Sequence, residues 1–205
     1  MHQPELSLDP PALTALATPL ALVGMPGCGK STVGRQLARQ LGWRFADSDH
    51  EIEQRIGCSI RAYFEQHGEA AFRDLEQGVI GQLCQQTSLV LATGGGAVLR
   101  EANRNALKGH CQVVYLRSAP EELFRRLRHD TQRPLLQVKD PLRRLRDLYR
   151  ERDPLYRDAA DYVIETGRPS VPTLVNMILM QLELAGVVDP MQVPATVGRV
   201  LPPAV

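Results

Sequence analysis

Five short apolar runs punctuate the chain, and the segments between them carry apolar residues three or four apart. Leu20–Val23, Trp43–Ala46, Leu89–Ala92, Val113–Leu116 and Tyr162–Ile164 have the length and content of buried strands. Helical spacing falls between them. Val33, Leu37 and Leu41 mark one helix, which Gly42 can end. Ile52, Ile56, Ile60 and Tyr63-Phe64 mark two more, separated at Gly57, and Gly68-Glu69 opens another through Phe72, Leu75, Val79, Ile80 and Leu83. Residues 100–108, Pro120 to about Arg128, and residues 141–150 follow, and Leu174, Ile178 and Leu182 mark the last helix. Strands alternating with helices predict a parallel sheet covered on both faces, with its site beyond the strand C-terminal ends.

Three stretches lack this periodicity. Residues 1–18 contain Pro4, Pro10 and Pro11 and read as a flexible arm. Residues 129–139 contain Arg133-Pro134 and read as a mobile loop, and residues 186–205 carry four prolines and read as a flexible tail. Nothing splits the rest, so 19–185 is expected to form one domain.

A net charge of +1 gives no reason to expect a nucleic acid or a membrane surface as partner. No apolar run is long enough to span a bilayer. Glu5, Asp9 and the prolines, without a basic start, argue against a signal peptide. Basic residues are mostly arginine, a usage bias that says nothing of anions by itself. The four cysteines, Cys28, Cys58, Cys84 and Cys111, form no C-x-x-C, which argues against zinc or a disulfide framework and fits a cytoplasmic location. The histidines show no metal-ligand spacing.

One stretch changes the picture. Gly24-Met25-Pro26-Gly27-Cys28-Gly29-Lys30-Ser31 matches G-x-x-x-x-G-K-[ST] and sits between the first strand and the first helix. Its glycines let backbone N–H groups turn inward onto phosphate oxygens, and the helix N-terminus adds partial positive charge. Gly27, Cys28, Gly29, Lys30, Ser31 and Thr32 are therefore the candidate ATP contacts. Lys30 can reach the β- and γ-phosphates and Ser31 can ligate Mg²⁺. Cys28 also has the surroundings that activate a thiol, which makes it the candidate most reactive cysteine unless it is merely a small spacer, with Cys58 as its competitor.

A phosphate loop does not say what receives the phosphate. Asp47 and Asp49 end the second strand. One could reach the metal and the other an acceptor hydroxyl, or Asp47 or Ser48 could simply cap the next helix. Gly94-Gly95-Gly96 after the third strand would let backbone approach a ligand closely. Arg73, taken alone, reads as a solvated helix residue. Arg152 reads as a charge at a helix end.

Taken together, these residues resemble the shikimate kinase family. The resemblance runs from about Leu20 to Leu184. It rests on the phosphate loop with Ser31-Thr32-Val33-Gly34-Arg35, on Asp47-Ser48-Asp49, Gly68-Glu69 with Phe72-Arg73, and Gly94-Gly95-Gly96, and on Arg133-Pro134-Leu135-Leu136 and Arg152 before Pro154-Leu155-Tyr156. It implies a three-layer α/β/α P-loop kinase fold around a five-stranded parallel sheet, like the nucleoside monophosphate kinases, with 129–139 as a lid. It implies transfer of the γ-phosphoryl group of ATP to the 3-hydroxyl of shikimate, with Mg²⁺, on the pathway to chorismate and the aromatic amino acids, by a protein expected to be a monomer.

The resemblance also implies roles. Asp49 would bind the shikimate hydroxyls and orient the attacking proton. Arg73 and Arg152 would hold its carboxylate, and Gly94, Gly95 and Gly96 would offer backbone donors, Gly95 foremost. Arg133 would swing over the phosphates. Ser31 would ligate Mg²⁺, with Asp47 acting behind it. Arg126 would stack on adenine, and Arg168 stands beside Pro169 where a further nucleotide contact is expected. A gluconate kinase of the same fold is the rival enzyme, set apart by Arg73, Arg152 and the glycine triplet. A non-catalytic binding module is the rival outside enzymes, set apart by the presence of Lys30 and Asp49.

Overall fold

The computed structural model describes residues 17–128 and 138–188. Five parallel strands form one sheet, β1 (Leu20–Val23), β2 (Arg44–Asp47), β3 (Leu89–Ala92), β4 (Gln112–Arg117) and β5 (Tyr162–Glu165), in the order β2-β3-β1-β4-β5. β1 is central and all four of its residues are 0% exposed, as its unbroken apolar run requires. Leu20 pairs with Val90 on one side and Gln112 on the other, so β3 ends opposite Leu22 and β4 runs two residues past the end of β1.

Seven helices lie among the described residues: α1 (Lys30–Leu41), α2 (Ser48–Ile56), α3 (Ile60–Leu83), α4 (Glu101–His110), α5 (Pro120–Leu127), α6 (Pro141–Ala159) and α7 (Val171–Leu184). α1 packs with α7, while α3 packs with α4 and α4 with α6. The expected three-layer α/β/α arrangement with a five-stranded parallel sheet is what forms.

Two boundaries differ from the sequence reading for identifiable reasons. β2 begins at Arg44 rather than Trp43. The Trp43 N–H still belongs to the end of α1, donating to Ala38 O, and the Arg44 N–H is the first to join the sheet side, at Ser88 O. The strand then runs one residue further and ends on Asp47. α6 does not stop near residue 150 but continues through Pro154 to Ala159. Proline inside a helix costs a hydrogen bond. Here Leu145, Leu148, Tyr156 and Ala159 continue one buried stripe, and that packing carries the helix past the proline. Arg152 is therefore within a helix, and compensation of a helix end does not explain it.

The break expected at Gly68 is present. α3 is two helical pieces joined there, with Gly68 at φ 79°, ψ 174°, a backbone shape that favours glycine. The second piece, which carries Arg73, is thereby aimed independently of the first.

Candidate active site

The phosphate loop leaves the end of β1 and enters α1 at Lys30. Gly29 caps α1 at φ 101°, so no side chain crowds the mouth of the loop. Lys30 is only 8% exposed and its Nζ donates to Gly24 O at 2.8 Å and Met25 O at 3.0 Å. The loop thus wraps its own cation, which lies where the helix N-terminus concentrates positive potential. Thr32 is exposed on the first turn of α1.

Asp47 and Asp49 part ways as β2 turns into α2. Asp47 Oδ1 accepts from the Asp49 N–H at 3.1 Å, capping α2. Its other oxygen, Oδ2, accepts from Ser31 Oγ at 2.6 Å. Capping and pairing with the phosphate loop are thus one arrangement rather than alternatives. Ser48 is fully buried and its Oγ accepts from the Gly94 N–H at 2.9 Å. That bond joins the two loops.

Asp49 stands in the first turn of α2, half-buried, with its carboxylate against Gly94; a Cβ there would collide with it. Burial pushes the Asp49 carboxyl up to about 6, and the negative charge of Asp47 adds to this while Lys30 opposes it. A carboxylate held this way is an adequate proton acceptor near neutrality.

The glycine triplet follows β3. A Cβ on Gly95 would lie 2.6 Å from Pro26 Cγ, so this loop packs directly on the phosphate loop. A Cβ on Gly96 would lie 2.6 Å from both Nη1 and Nη2 of Arg73. Arg73 is held by Glu76 Oε2 at 2.6 Å and, more loosely, by Glu69 Oε1. Arg152 reaches the triplet from α6, its Nη1 donating to Gly95 O at 3.1 Å. Its Nε is buried with no acceptor, a donor that a ligand oxygen would satisfy. Asp49, Arg73, Arg152 and Gly94–Gly96 therefore converge around one loop beside the phosphate loop.

Three participants escaped the sequence reading. Glu76 is 1% exposed and pairs with Arg73; burial pushes its carboxyl up, and Arg73 pulls against this. Its signal was a charged residue four positions after Phe72 and four before Ile80, on the apolar stripe itself. Ser48 was weighed only as a cap. Tyr156 was quoted without a role, and its hydroxyl donates to Gly95 O at 2.5 Å.

On the nucleotide side, Arg126 Nη2 donates to Thr166 O at 2.5 Å, which ties the end of α5 to the segment after β5. Arg168 is exposed two residues further on. Arg133 and most of the expected lid lie outside the described residues, as do most of the expected arm and tail.

The reading of Cys28 as the most reactive thiol does not survive. Cys28 is 1% exposed, wedged under the loop beside Gly24, and Cys84 and Cys111 are buried too. Cys58, after the end of α2, is only partly covered. Alkylation at neutral pH followed by peptide mapping is expected to label Cys58 first, and first labelling of Cys28 would contradict this. Among the described residues no cluster of three or more His, Cys, Asp or Glu could hold a metal, and no helix is long and apolar enough to cross a membrane.

Comparison with known proteins gives a consistent result. The family model described as shikimate kinase matches residues 26–183. A shikimate kinase of Burkholderia lata is 61% identical over 166 residues, covering 81% of this chain and 90% of that protein. One from Paracidovorax citrulli is 60% identical over 172 residues, covering 82% and 94%. The solved shikimate kinase of Acinetobacter baumannii in complex with shikimate superposes with a TM-score of 0.78 at 48% identity, over 83% of this chain and 94% of that one.

Proposed function

The chain belongs to the shikimate kinase family, and from that premise we propose how its residues divide the transfer of the γ-phosphoryl group of ATP to the 3-hydroxyl of shikimate. One observation carries the proposal: the Asp49 carboxylate, the Arg73 guanidinium and the Arg152 guanidinium all abut Gly94–Gly96, and that loop packs on the phosphate loop through Gly95 and Pro26. A ring with hydroxyls at one end and a carboxylate at the other fits between them. Asp49 receives the hydroxyl end and takes or orients its proton. Arg73 and Arg152 meet the carboxylate, for which a planar fork is suited. Glu76 and Glu69 keep Arg73 in place.

Phosphoryl transfer asks the protein for alignment and charge neutralisation rather than covalent chemistry. Gly27–Thr32 hold the phosphates through backbone donors and Lys30 supplies fixed positive charge. Ser31 Oγ and Asp47 Oδ2, 2.6 Å apart, are a hard-oxygen pair that fits Mg²⁺. Ser31 would hold the ion and Asp47 would act behind Ser31. When bound, the ion supplies further neutralisation of phosphate charge. Arg126 and Arg168 serve the base of ATP. Arg133, which lies outside the described residues, is assigned to the phosphates on resemblance alone, with 129–139 as a lid that excludes water. We assign the protein to the cytoplasm, as a monomer, in the route to chorismate and the aromatic amino acids.

The test is a coupled ADP-release assay with shikimate against gluconate, in the wild type and in Arg73→Lys and Arg152→Lys. Each lysine keeps the charge and loses the fork. Loss of a charge-assisted bond is worth ~1.5–3 kcal/mol, so shikimate affinity is expected to fall ~10- to 150-fold with ATP affinity retained. Equal shikimate binding by both variants in calorimetry would remove the carboxylate clamp, and preference for gluconate would remove the substrate assignment.

A further inference from the structure

Helix α6 turns two neighbouring stripes to the rest of the chain. Arg152 and Tyr156, four apart, face the glycine loop, and both donate to Gly95 O. Tyr149 and Asp153, also four apart, face β4, where Tyr115 and Arg117 lie two apart and so point to one side of the sheet. Asp153 Oδ1 accepts from Tyr115 Oη at 2.8 Å and from Arg117 Nε at 3.1 Å. Its Oδ2 accepts from Arg157 Nε at 2.8 Å, one turn along α6. The Arg117 guanidinium lies over the Tyr149 ring, 5.6 Å from its centroid, and its other acidic partner is Glu165 on β5. Burial would push the Asp153 carboxyl up, but the donors Arg157, Tyr115 and Arg117 outweigh it and hold the group below the ordinary carboxylate range. The charge is therefore present wherever the enzyme works.

We infer that Asp153 is a positioning residue for shikimate binding: it pins the turn of α6 that carries Arg152 onto β4, so that the Arg152 guanidinium meets the substrate carboxylate from a fixed place. That turn needs a pin. Pro154 has no N–H, so the Arg150 carbonyl lacks its helical donor and α6 is weakest around Arg152. Beyond the proline the helix is held by Tyr156, which is 0% exposed and stacks on Tyr115 with centroids 5.0 Å apart. Before it, next to Arg152, the polar anchor is the Asp153 carboxylate, whose side chain is only 15% exposed and which joins α6 to two residues of β4. Arg152 itself has a single bond to Gly95 O and a buried Nε with no acceptor, so its own contacts leave it free to shift. Fixing the helix beneath it removes that freedom in advance, which is how preorganisation raises affinity. The inference rests on the carboxylate reading of Arg152 given above.

The test uses the full chain and Asp153→Asn, which keeps the size of the side chain and removes its charge. Shikimate and ATP binding are measured by calorimetry. Shikimate affinity is expected to fall ~3- to 10-fold, within the range of coupling between residues of one network, with ATP affinity retained. The sign is informative. Removing a negative charge beside Arg152 would by itself favour an anionic ligand, so charge alone predicts tighter binding. Shikimate affinity that is unchanged or improved would overturn the inference. Glu165→Gln serves as a control, since it takes an ion-pair partner from Arg117 without touching α6, and shikimate binding should stay as in the wild type. An equal loss in this control would overturn the inference by showing only general damage around Arg117. A double-mutant cycle then asks whether Asp153 acts through Arg152. In the Arg152→Lys background Asp153→Asn should cost little further shikimate affinity, and losses that simply add would overturn the inference. Should Asp153→Asn fail to fold, Tyr115→Phe decides in its place. It keeps the stacked ring and removes one neutral donor to Asp153, with an expected ~2- to 3-fold loss of shikimate affinity that vanishes in Arg152→Lys. No loss there would overturn the inference. Failure of the underlying reading looks different: Arg152→Lys alone would then bind shikimate as the wild type does, and the inference would fall with it.

Discussion

Turnover of the Asp49→Asn variant is expected to fall ~10²- to 10⁴-fold, the usual worth of a positioned acid–base group. The amide keeps the size of the carboxylate and loses its charge and its proton affinity. ATP binding should be almost unchanged, because the phosphates are held by the other loop. A pH profile gives a second check. With the carboxyl pushed up to about 6, kcat/KM for shikimate in the wild type should decline below about pH 6, and that limb should be missing from the residual activity of the variant.

Stability should move the opposite way from activity. The folded-state value lies above the ordinary 3.8, so the folded chain holds this proton more tightly than the unfolded chain does. Below pH 4 both states are protonated and the site costs nothing. The cost of ionising Asp49 grows as pH rises towards 6 and is fully present above it. One pKa unit is worth about 1.4 kcal/mol, and partial exposure reduces the total, so Asp49→Asn should gain about 1–3 kcal/mol at pH 7.5 and little near pH 4. Thermal unfolding at both pH values measures this. Turnover near the wild type, or no gain in Tm at pH 7.5, would mean that Asp49 is not the strained acceptor described.

How much of this was legible beforehand depended on whether the determinant was local. All five strands were readable because β1, β3 and β4 are continuous apolar runs, and a parallel sheet leaves such runs no other place. The glycine stops at 42 and 57 and the kink at 68 were readable because each needs a left-handed backbone. The extent of α6 was not, since Pro154 argued for an end and only the packing of Tyr156 and Ala159 overrides it. The substrate arginines were named by resemblance, but their supports were hidden. Glu76 looked like any surface glutamate until its burial under Arg73 was seen, and Tyr156 acts on a carbonyl 61 positions away. Cys28 was left between a reactive thiol and a small spacer because its neighbours in sequence suggested reactivity, and burial, a property of the folded loop, decides for the spacer.

Replacing Lys30 by Met should lower kcat ~10²- to 10³-fold, the size of effect seen when one preorganised charge stabiliser is removed. Methionine fills similar space, so the loss is of charge rather than bulk. Two further consequences separate this from simple damage to the loop. Lys30 Nζ serves Gly24 O and Met25 O, and removing it leaves two carbonyls without that donor at a cost of about 1–3 kcal/mol each where water cannot reach them. A lower Tm is therefore expected, and it should recover in part with ATP, whose binding favours the folded loop. The second consequence reaches the other substrate. Lys30 pulls the Asp49 carboxyl down against its burial, so without Lys30 that carboxyl should rise further. The acid limb of kcat/KM for shikimate should then shift to higher pH in Lys30→Met. Shikimate binding by calorimetry should persist, because the clamp of Arg73 and Arg152 does not touch Lys30. A kcat within tenfold of the wild type, or an acid limb displaced to lower pH, would show that Lys30 holds the loop together without acting on either the phosphates or Asp49.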